Sequence, residues 1–158
     1  MKSIVLTRID DRLIHGQVVT AWVKHVKGNR IIIVDDVLIK DLFIQQVLKM
    51  AAPSGIKVDV FSREAAIEDL EGNSNSDERI IILVKVPQVI EYLIDNGVDI
   101  KTLILGGMGA RAGRQRFHKN ISVDNDELEC FKKLADKGVQ VLIQIVPDER
   151  AIDINKLI

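Results

Sequence analysis

Short apolar runs recur along the chain and alternate with longer segments whose apolar residues repeat about every 3.6 positions. Most of the runs are continuously apolar and rich in Ile and Val, which indicates strands that are buried on both faces of a sheet. We predict six strands, at residues 3–7, 30–35, 56–61, 79–84, 101–105 and 139–145.

The segments between these strands carry apolar stripes that predict four helices, each able to cover one face of a sheet. Pro87 suits a first helical turn, and Asp124 with Glu127 resembles a capping box. The alternation predicts an α/β fold: a single-domain, mostly parallel twisted sheet with helices on both faces. The stripes consist of Val18, Val19, Trp22, Val23 and Val26; Leu38, Ile39, Leu42, Phe43, Val47 and Met50; Val86, Val89, Ile90, Leu93 and Ile94; and Leu128, Phe131, Leu134 and Ala135.

Composition favours one globular domain. Of the 158 residues, 47% are hydrophobic and 28% charged, an ordinary mixture for a protein with a packed core. The polar stretch 71–78 is predicted to be a surface loop rather than a linker, because the parts on either side, about 70 and 80 residues long, are small for α/β units. We therefore assign residues 1–158 to one domain.

Charge and hydropathy exclude several classes of function. A formal net charge of -1 gives no overall attraction to nucleic acid or to an anionic membrane. Apolar runs such as 80–84 are far shorter than the roughly 20 residues of a membrane span. The first apolar run ends at Arg8, too soon for a signal peptide, and Cys130 has no cysteine partner for a disulfide. We expect a cytoplasmic protein.

The densest group of charged residues follows the first predicted strand and precedes the first helix. One interpretation is a solvated turn in which the arginines pair with the aspartates and the histidine lies at the surface. The other is an anion site, because the carboxyl edge of an open α/β sheet is where ligands usually bind. The group comprises Arg8, Asp10, Asp11, Arg12 and His15.

The anion site gives each of these side chains a chemical role. Neutral imidazole is a competent nucleophile, so His15 can carry a group covalently. Arg8 and Arg12 present planar forks of donors that match phosphoryl oxygens. Backbone amides of Gly16 and Gln17, at the predicted helix start, add partial positive charge. Asp10 or Asp11 is expected to orient the imidazole or the arginines.

A second group of candidate residues lies at 106–119. Its Gly-x-Gly is followed by a glycine one position too late for a dinucleotide fingerprint, so nucleotide binding is weakly supported. No acid interrupts its basic residues, which predicts a docking loop beside the active site that uses Gly107, Met108 and Arg111. The alternatives are an exposed solvated turn and a regulatory nucleotide- or phosphate-binding module. The basic residues are Arg111, Arg114, Arg116, His118 and Lys119.

Other candidates are weaker. His15, His25 and His118 are not spaced as ligands on one helical face, so we predict neither a metal site nor a cofactor. Asp35 and Asp36 are predicted to cap the helix that begins near residue 38.

Residues 8–22, Arg-Ile-Asp-Asp-Arg-Leu-Ile-His-Gly-Gln-Val-Val-Thr-Ala-Trp, resemble the signature of a known family. This family is the enzyme IIB component of the mannose/fructose/sorbose-type phosphoenolpyruvate-dependent sugar phosphotransferase system (PTS). Residues 31–36, 51–55 and 106–108 resemble further family segments in the same order.

The resemblance implies that His15 accepts a phosphoryl group from a histidine of the IIA protein, on Nδ1, and passes it to a sugar bound by the membrane components IIC and IID. It leaves Nε2 for an orienting partner and implies peripheral association with the permease. Arg8, Asp10 and Arg12 align with the family's loop, whereas Lys85 and the segment 111–116 are not carried over. We find no IIA-like segment, so IIA is expected on a separate chain. The identity of the sugar does not follow from the sequence.

Overall fold

The computed structural model of the protein describes residues 2–73 and 77–158, so residues 74–76 of the predicted loop 71–78 lie outside the described residues. Five α-helices are present in the described part: α1 Gly16–Val26, α2 Leu42–Ala51, α3 Arg63–Glu71, α4 Pro87–Asp95 and α5 Asn125–Asp136. The strands of the described part are β1 Ile4–Asp10, β2 Arg30–Val34, β3 Lys57–Phe61, β4 Ile80–Val84, β5 Thr102–Gly107, β6 Gln115–His118, β7 Ile121–Val123, β8 Gln140–Ile143 and β9 Ile152–Asp153.

Seven of these strands form one sheet in the order β3-β2-β4-β1-β5-β8-β9. The pairings are parallel except that of β9, which runs antiparallel to β8. Helices α1 and α2 contribute to one apolar cluster, whereas α3, α4 and α5 contribute to the other. The predicted fold class, a mostly parallel sheet with helices on both faces, is therefore confirmed.

The chain leaves the adjacent strands β1 and β5 in opposite directions along the sheet. From β1 it crosses to β2 on one side, and from β5 it continues to β8 on the other. Such a divergence opens a crevice at the carboxyl ends of the two strands, which is the usual ligand site of an open α/β sheet. Residues 8–16 and the glycine-rich segment 106–109 both lie at this crevice.

Several boundary predictions are confirmed. Pro87 occupies the first turn of α4, and Asp124 forms the capping box of α5 with Glu127. The capping prediction for Asp35 and Asp36 holds only in part: Asp35 accepts hydrogen bonds from the amides of Val37 and Leu38 at the start of the 3-10 turn Leu38–Lys40. Asp36 instead accepts from the amide and Nε of Arg63, and α2 begins at Leu42 with Asp41 as its cap. No described helix is both long and apolar enough to cross a bilayer.

The second predicted stripe is wrong for helix α2. Leu42, Phe43, Val47 and Met50 face solvent, with exposures between 46% and 83%. The helix buries Leu48 and the polar Gln45 instead. Gln45 is tolerated there because its Nε2 donates a hydrogen bond of 2.8 Å to the carbonyl of Leu38.

Sequence reasoning also missed some elements. Helix α3 buries only Ala66 and Leu70, and its N-cap is Ser62, whose hydroxyl accepts from the amide of Ala65. Strands β6 and β7 form a short antiparallel hairpin outside the main sheet. Strand β1 continues through Asp10 instead of ending at Thr7, so Arg8 lies within the sheet.

Candidate active site

The turn between β1 and α1 places His15 at the helix start. Leu13 and Ile14 are buried and anchor the turn in the core. His15 itself is the N-cap residue, with extended backbone and a side chain that is 23% exposed. Gly16 follows at φ +48°, a conformation that glycine adopts without strain. The imidazole therefore stands at the surface on a well-anchored turn.

The buried carboxylate of Asp10 is the hub of the site. His15 Nε2 lies 2.9 Å from Asp10 Oδ2. Arg12 donates to Asp10 Oδ1 from its amide at 3.0 Å and from Nε at 3.3 Å, and Arg8 Nη2 lies 3.5 Å from Oδ2. Burial alone raises the pKa of Asp10, but the hydrogen bonds from His15 and Arg12 outweigh it and hold that pKa below its ordinary value.

An ionised Asp10 fixes the protonation of the neutral imidazole. A carboxylate only accepts hydrogen bonds, so Nε2 of His15 must carry the proton in the 2.9 Å contact. The lone pair is then on Nδ1, which has no hydrogen-bond partner among the described residues. The arrangement gives a nucleophilic nitrogen of defined identity, as hydrogen bonding commonly does for histidine.

Arg8 is buried, which changes the interpretation of its role. Its guanidinium lies 5.4 Å from the centre of the Trp22 ring and packs on Gly106, and its Nη1 donates at 2.8 Å to the carbonyl of Gln144. Burial lowers the pKa of Arg8, and Asp10 opposes this effect. The expectation that Arg8 braces phosphoryl oxygens is not compatible with this burial, because the guanidinium has no surface to offer; instead it supports Asp10.

Arg12 and the helix start form the exposed part of the site. The Arg12 side chain is 54% exposed although it bonds to Asp10. Gly16 and Gln17 are exposed, and no side chain caps the amino end of α1. Free amides at a helix start carry partial positive charge. The exposed cation and these amides lie beside the imidazole, as an anion site requires.

Asp11 has a different role, since it joins the two loops. Its Oδ2 accepts a hydrogen bond of 2.7 Å from the amide of Gly109 and lies 3.5 Å from Arg114 Nη1. Its own amide donates to the carbonyl of Gly107 at 3.2 Å. Of the two aspartates, Asp10 contacts the imidazole and Asp11 fastens the glycine-rich segment to the histidine turn.

The predicted basic strip without acids is wrong. The side chain of Arg114 is buried and donates to both carboxylate oxygens of Glu127, at 2.9 and 2.7 Å, which raises the pKa of Arg114. Arg111 also reaches Glu127, at 3.4 Å, and Lys119 lies 3.8 Å from Glu149. The acids come from distant segments, so the sequence around the strip could not reveal them.

The docking prediction for Gly107 and Met108 is contradicted by burial. Met108 is fully buried in the core, and Gly107 is a buried residue of β5, so neither offers a surface to a partner. Arg111 remains more than half exposed. A nucleotide-binding loop is also disfavoured, because Gly106 faces Arg8 and Gly107 faces Asp10, leaving no free cradle.

The remaining candidates do not join the site. His25 is exposed on α1, and Nε2 of His118 is buried without a partner in the described part of the chain. Lys85 makes a long contact of 3.9 Å with Asp35. Burial raises the pKa of the Cys130 thiol to about 12, so it is not a nucleophile at neutral pH. Residues 2–73 and 77–158 contain no group of three His, Cys, Asp or Glu that could hold a metal ion.

The fold and the histidine turn define a sugar-phosphotransferase IIB component. Residues 4–158 match the sequence model of the family described as "PTS system sorbose subfamily IIB component". The chain therefore belongs to this family.

Similar proteins extend over nearly the whole chain. The sorbose-specific EIIB component of Klebsiella pneumoniae is 37% identical over 152 residues, which are 96% of this chain and 93% of that protein. The crystal structure of the IIBSor domain of the sorbose permease from Klebsiella pneumoniae has a TM-score of 0.94 and 36% identity, covering 98% of this chain and 94% of that one. The mannose-specific EIIAB component of Escherichia coli (strain K12) is 35% identical over 97% of this chain but only 47% of that protein.

The packing of Arg8 against Gly106 makes Gly106→Ala a sharp test of the site's support. The added carbon would clash with the Arg8 guanidinium, which is buried, lies over the Trp22 ring and is bonded to the carbonyl of Gln144. We expect the free energy of unfolding in urea to fall by about 3 kcal/mol. In an Arg8→Met background, Gly106→Ala should lower the free energy of unfolding clearly less, since the guanidinium is absent. An equal loss of unfolding free energy in the native and Arg8→Met chains would contradict a tight contact between Arg8 and Gly106.

Proposed function

We propose that Nδ1 of His15 accepts a phosphoryl group from a phosphohistidine of a IIA protein and donates it to a sugar bound by the membrane components IIC and IID. The observation that carries this proposal is the 2.9 Å contact between Nε2 of His15 and the ionised Asp10. It leaves the Nδ1 lone pair free, beside an exposed arginine and an uncapped helix start.

The transfer consists of two in-line displacements at phosphorus. The Nδ1 lone pair attacks the phosphorus, and the bond to the donor histidine breaks with its electron pair remaining on the donor nitrogen. A sugar hydroxyl later attacks the same phosphorus, loses its proton to solvent or to a base of the permease, and releases His15. Phosphohistidine is already a reactive donor, so the protein chiefly positions the groups and stabilises charge.

Each neighbouring group has a role in these steps. Asp10 compensates the positive charge that develops on the imidazole when Nδ1 forms its bond to phosphorus. Arg12 and the amides of Gly16 and Gln17 face the charge on the phosphoryl oxygens. Arg8 is a positioning residue that holds Asp10. Arg111, which is exposed beside the glycine-rich segment, contacts a partner protein.

The proposed partners set the location of the protein. We assign it to the cytoplasm, in peripheral association with the permease. It binds IIA in the first transfer step and IIC and IID in the second. The Escherichia coli relative is named an EIIAB component, and this chain matches less than half of it. The relatives' names refer to different sugars, sorbose and mannose, so the sugar is left to a transport assay over a sugar panel.

His15→Ala tests the phosphorylated residue. With phosphoenolpyruvate, the general phosphotransferase proteins and the cognate IIA, the native chain should gain an acid-labile phosphate. The variant should gain none, because it lacks the Nδ1 nucleophile. His25→Ala, which alters an exposed histidine of the same helix, should be labelled normally. Persistence of the label in His15→Ala would refute the assignment.

Arg12→Ala tests the exposed cation. Phosphoryl exchange with IIA should slow about 100-fold, because one donor to the phosphoryl oxygens is lost. The chain should remain folded, because the amide at position 12 still donates to Asp10. The comparison variant is Arg116→Ala, since Arg116 is exposed and, among residues 2–73 and 77–158, its side chain donates to the carbonyl of Lys119 alone. Quench-flow measurement of the exchange should leave that variant unchanged. Native exchange rates in Arg12→Ala would exclude the role.

Asp10→Asn tests the control of the imidazole tautomer. An amide can donate to Nε2 as well as accept from it, so the fraction of His15 with its proton on Nδ1 should rise. Nitrogen-15 NMR measures this fraction directly, and phosphorylation should slow by about 10- to 100-fold. Asp11→Asn should leave the tautomer unchanged, because Asp11 bonds to Gly109 rather than to the imidazole. An unchanged tautomer in Asp10→Asn would contradict the role of Asp10.

A further inference from the structure

Residues 144–149, which we call the β8–β9 turn, lie against the buried guanidinium of Arg8. Arg8 Nη1 donates to the carbonyl of Gln144 at 2.8 Å, whereas Arg8 Nη2 lies 3.5 Å from Asp10 Oδ2. The shorter of these two hydrogen bonds is the one to the turn. The position of the cation relative to Asp10 therefore depends on how the Gln144 carbonyl is held.

The carbonyl of Gln144 and the amide of Ile145 belong to one peptide group, and Glu149 binds the amide end of that group. Glu149 Oε2 accepts a hydrogen bond of 2.7 Å from the Ile145 amide. A trans peptide group is planar, and its C=O and N–H bonds point in opposite directions. Glu149 therefore fixes the direction of the Gln144 carbonyl, and its negative charge polarises this carbonyl as an acceptor for Arg8.

Further contacts close the turn so that Glu149 reaches Ile145. The Gln144 side chain donates from Nε2 to the carbonyls of Pro147, at 3.1 Å, and Glu149, at 2.9 Å. Glu149 Oε1 also lies 3.8 Å from Nζ of Lys119, in the hairpin. The carboxylate is thus held in place from both sides.

Hydrogen bonds, rather than tight packing, determine the position of the turn. A cavity of about 520 Å³ is lined in part by Gln144 and Trp22, and another of about 600 Å³ in part by Val146 and Pro147. Trp22 Nε1 donates at 2.8 Å to the carbonyl of Ile145, which belongs to the next peptide group. A segment with few tight apolar contacts shifts readily when one of its hydrogen bonds is lost.

Arg8 and His15 share one acceptor atom. Arg8 Nη2, at 3.5 Å, and His15 Nε2, at 2.9 Å, both face Oδ2 of Asp10. Among residues 2–73 and 77–158, the Arg8 side chain donates to this oxygen and to the Gln144 carbonyl alone. While the carbonyl holds Nη1, the short contact with Oδ2 belongs to the imidazole. A guanidinium released from the carbonyl would move onto the carboxylate, since oppositely charged groups attract strongly in a buried site.

We propose that Glu149 is a positioning residue of the phosphoryl transfer. It orients the peptide group that accepts from Arg8, and so keeps Arg8 at a distance from Asp10. Oδ2 of Asp10 then remains the partner of His15, whose proton stays on Nε2. The inference rests on the proposed transfer, which requires a free lone pair on Nδ1.

Glu149→Ala tests this role in the unphosphorylated full chain. Nitrogen-15 NMR should show that the fraction of neutral His15 with its proton on Nδ1 rises at least about twofold, because Arg8 then competes for Oδ2 of Asp10. The fold should persist, because the Glu149 side chain is 31% exposed and lies in a surface turn. A native tautomer fraction in the folded Glu149→Ala chain would overturn the proposal.

Two matched variants separate the contact from the charge. Glu149→Gln should return the tautomer fraction most of the way to the native value, because its amide oxygen can still accept from the Ile145 amide. Asp148→Ala removes one negative charge from the exposed neighbouring position and should leave the fraction native. A Glu149→Gln chain that is no closer to native than Glu149→Ala, or an equal rise in Asp148→Ala, would contradict control through the peptide group.

A double substitution tests whether the effect passes through Arg8. In an Arg8→Met background, Glu149→Ala should leave the tautomer fraction unchanged, because no guanidinium remains to compete for Asp10. The same rise in the native and Arg8→Met backgrounds would exclude Arg8 as the link.

Phosphoryl exchange with IIA separates positioning from docking. In Glu149→Ala the exchange rate at saturating IIA should fall about tenfold, whereas the half-saturating concentration of IIA should stay native. A raised half-saturating concentration with a native saturated rate would identify Glu149 as a contact of the partner protein and overturn the proposal. The NMR measurement needs no phosphoryl transfer, so the two proposals fail separately. An unlabelled His15 in the native chain refutes the transfer, whereas a native tautomer fraction in Glu149→Ala refutes only the role of Glu149.

Discussion

Burying a carboxylate at the end of a central strand is the constraint around which this site is built. A buried charge without compensation costs several kcal/mol, so Asp10 requires donors on every accessible side. Arg8 supplies one from within the core, Arg12 supplies others from its amide and side chain, and His15 supplies the last from the surface. The need to satisfy Asp10 therefore determines where the imidazole points.

The sheet topology explains why these groups meet in one place. Strands β1 and β5 are neighbours, but the chain leaves them in opposite directions, so the space above their carboxyl ends is not filled by a crossing helix. The histidine turn occupies one side of that space and the glycine-rich segment the other. Asp11 bridges them through the amide of Gly109. Behind them, Trp22 donates to the carbonyl of Ile145 at 2.8 Å and holds the segment after β8 against Arg8.

Local patterns predicted the parts of the structure that depend on neighbouring residues. The buried strands and the ends of α4 and α5 follow from apolar period and capping chemistry, and the cluster at residues 8–17 was visible because its charges are adjacent in sequence. Long-range partners were invisible. Arg8 and Gln144 are 136 positions apart, and Arg114 contacts Glu127 13 positions further along, in the first turn of α5. The period of α2 predicted the wrong buried side, because the helix buries Leu48 together with Gln45, whose amide is satisfied by the carbonyl of Leu38.

The contact between Arg8 and Gly106 has an evolutionary consequence. The guanidinium fills the volume that any side chain at position 106 would need, and it is itself packed over the Trp22 ring. A mutation at position 106 is tolerable only after the residue at position 8 has become smaller, and a chain that has lost the arginine no longer selects for glycine. Homologues with a side chain at position 106 should therefore lack arginine at position 8, whereas homologues that keep the arginine should keep the glycine.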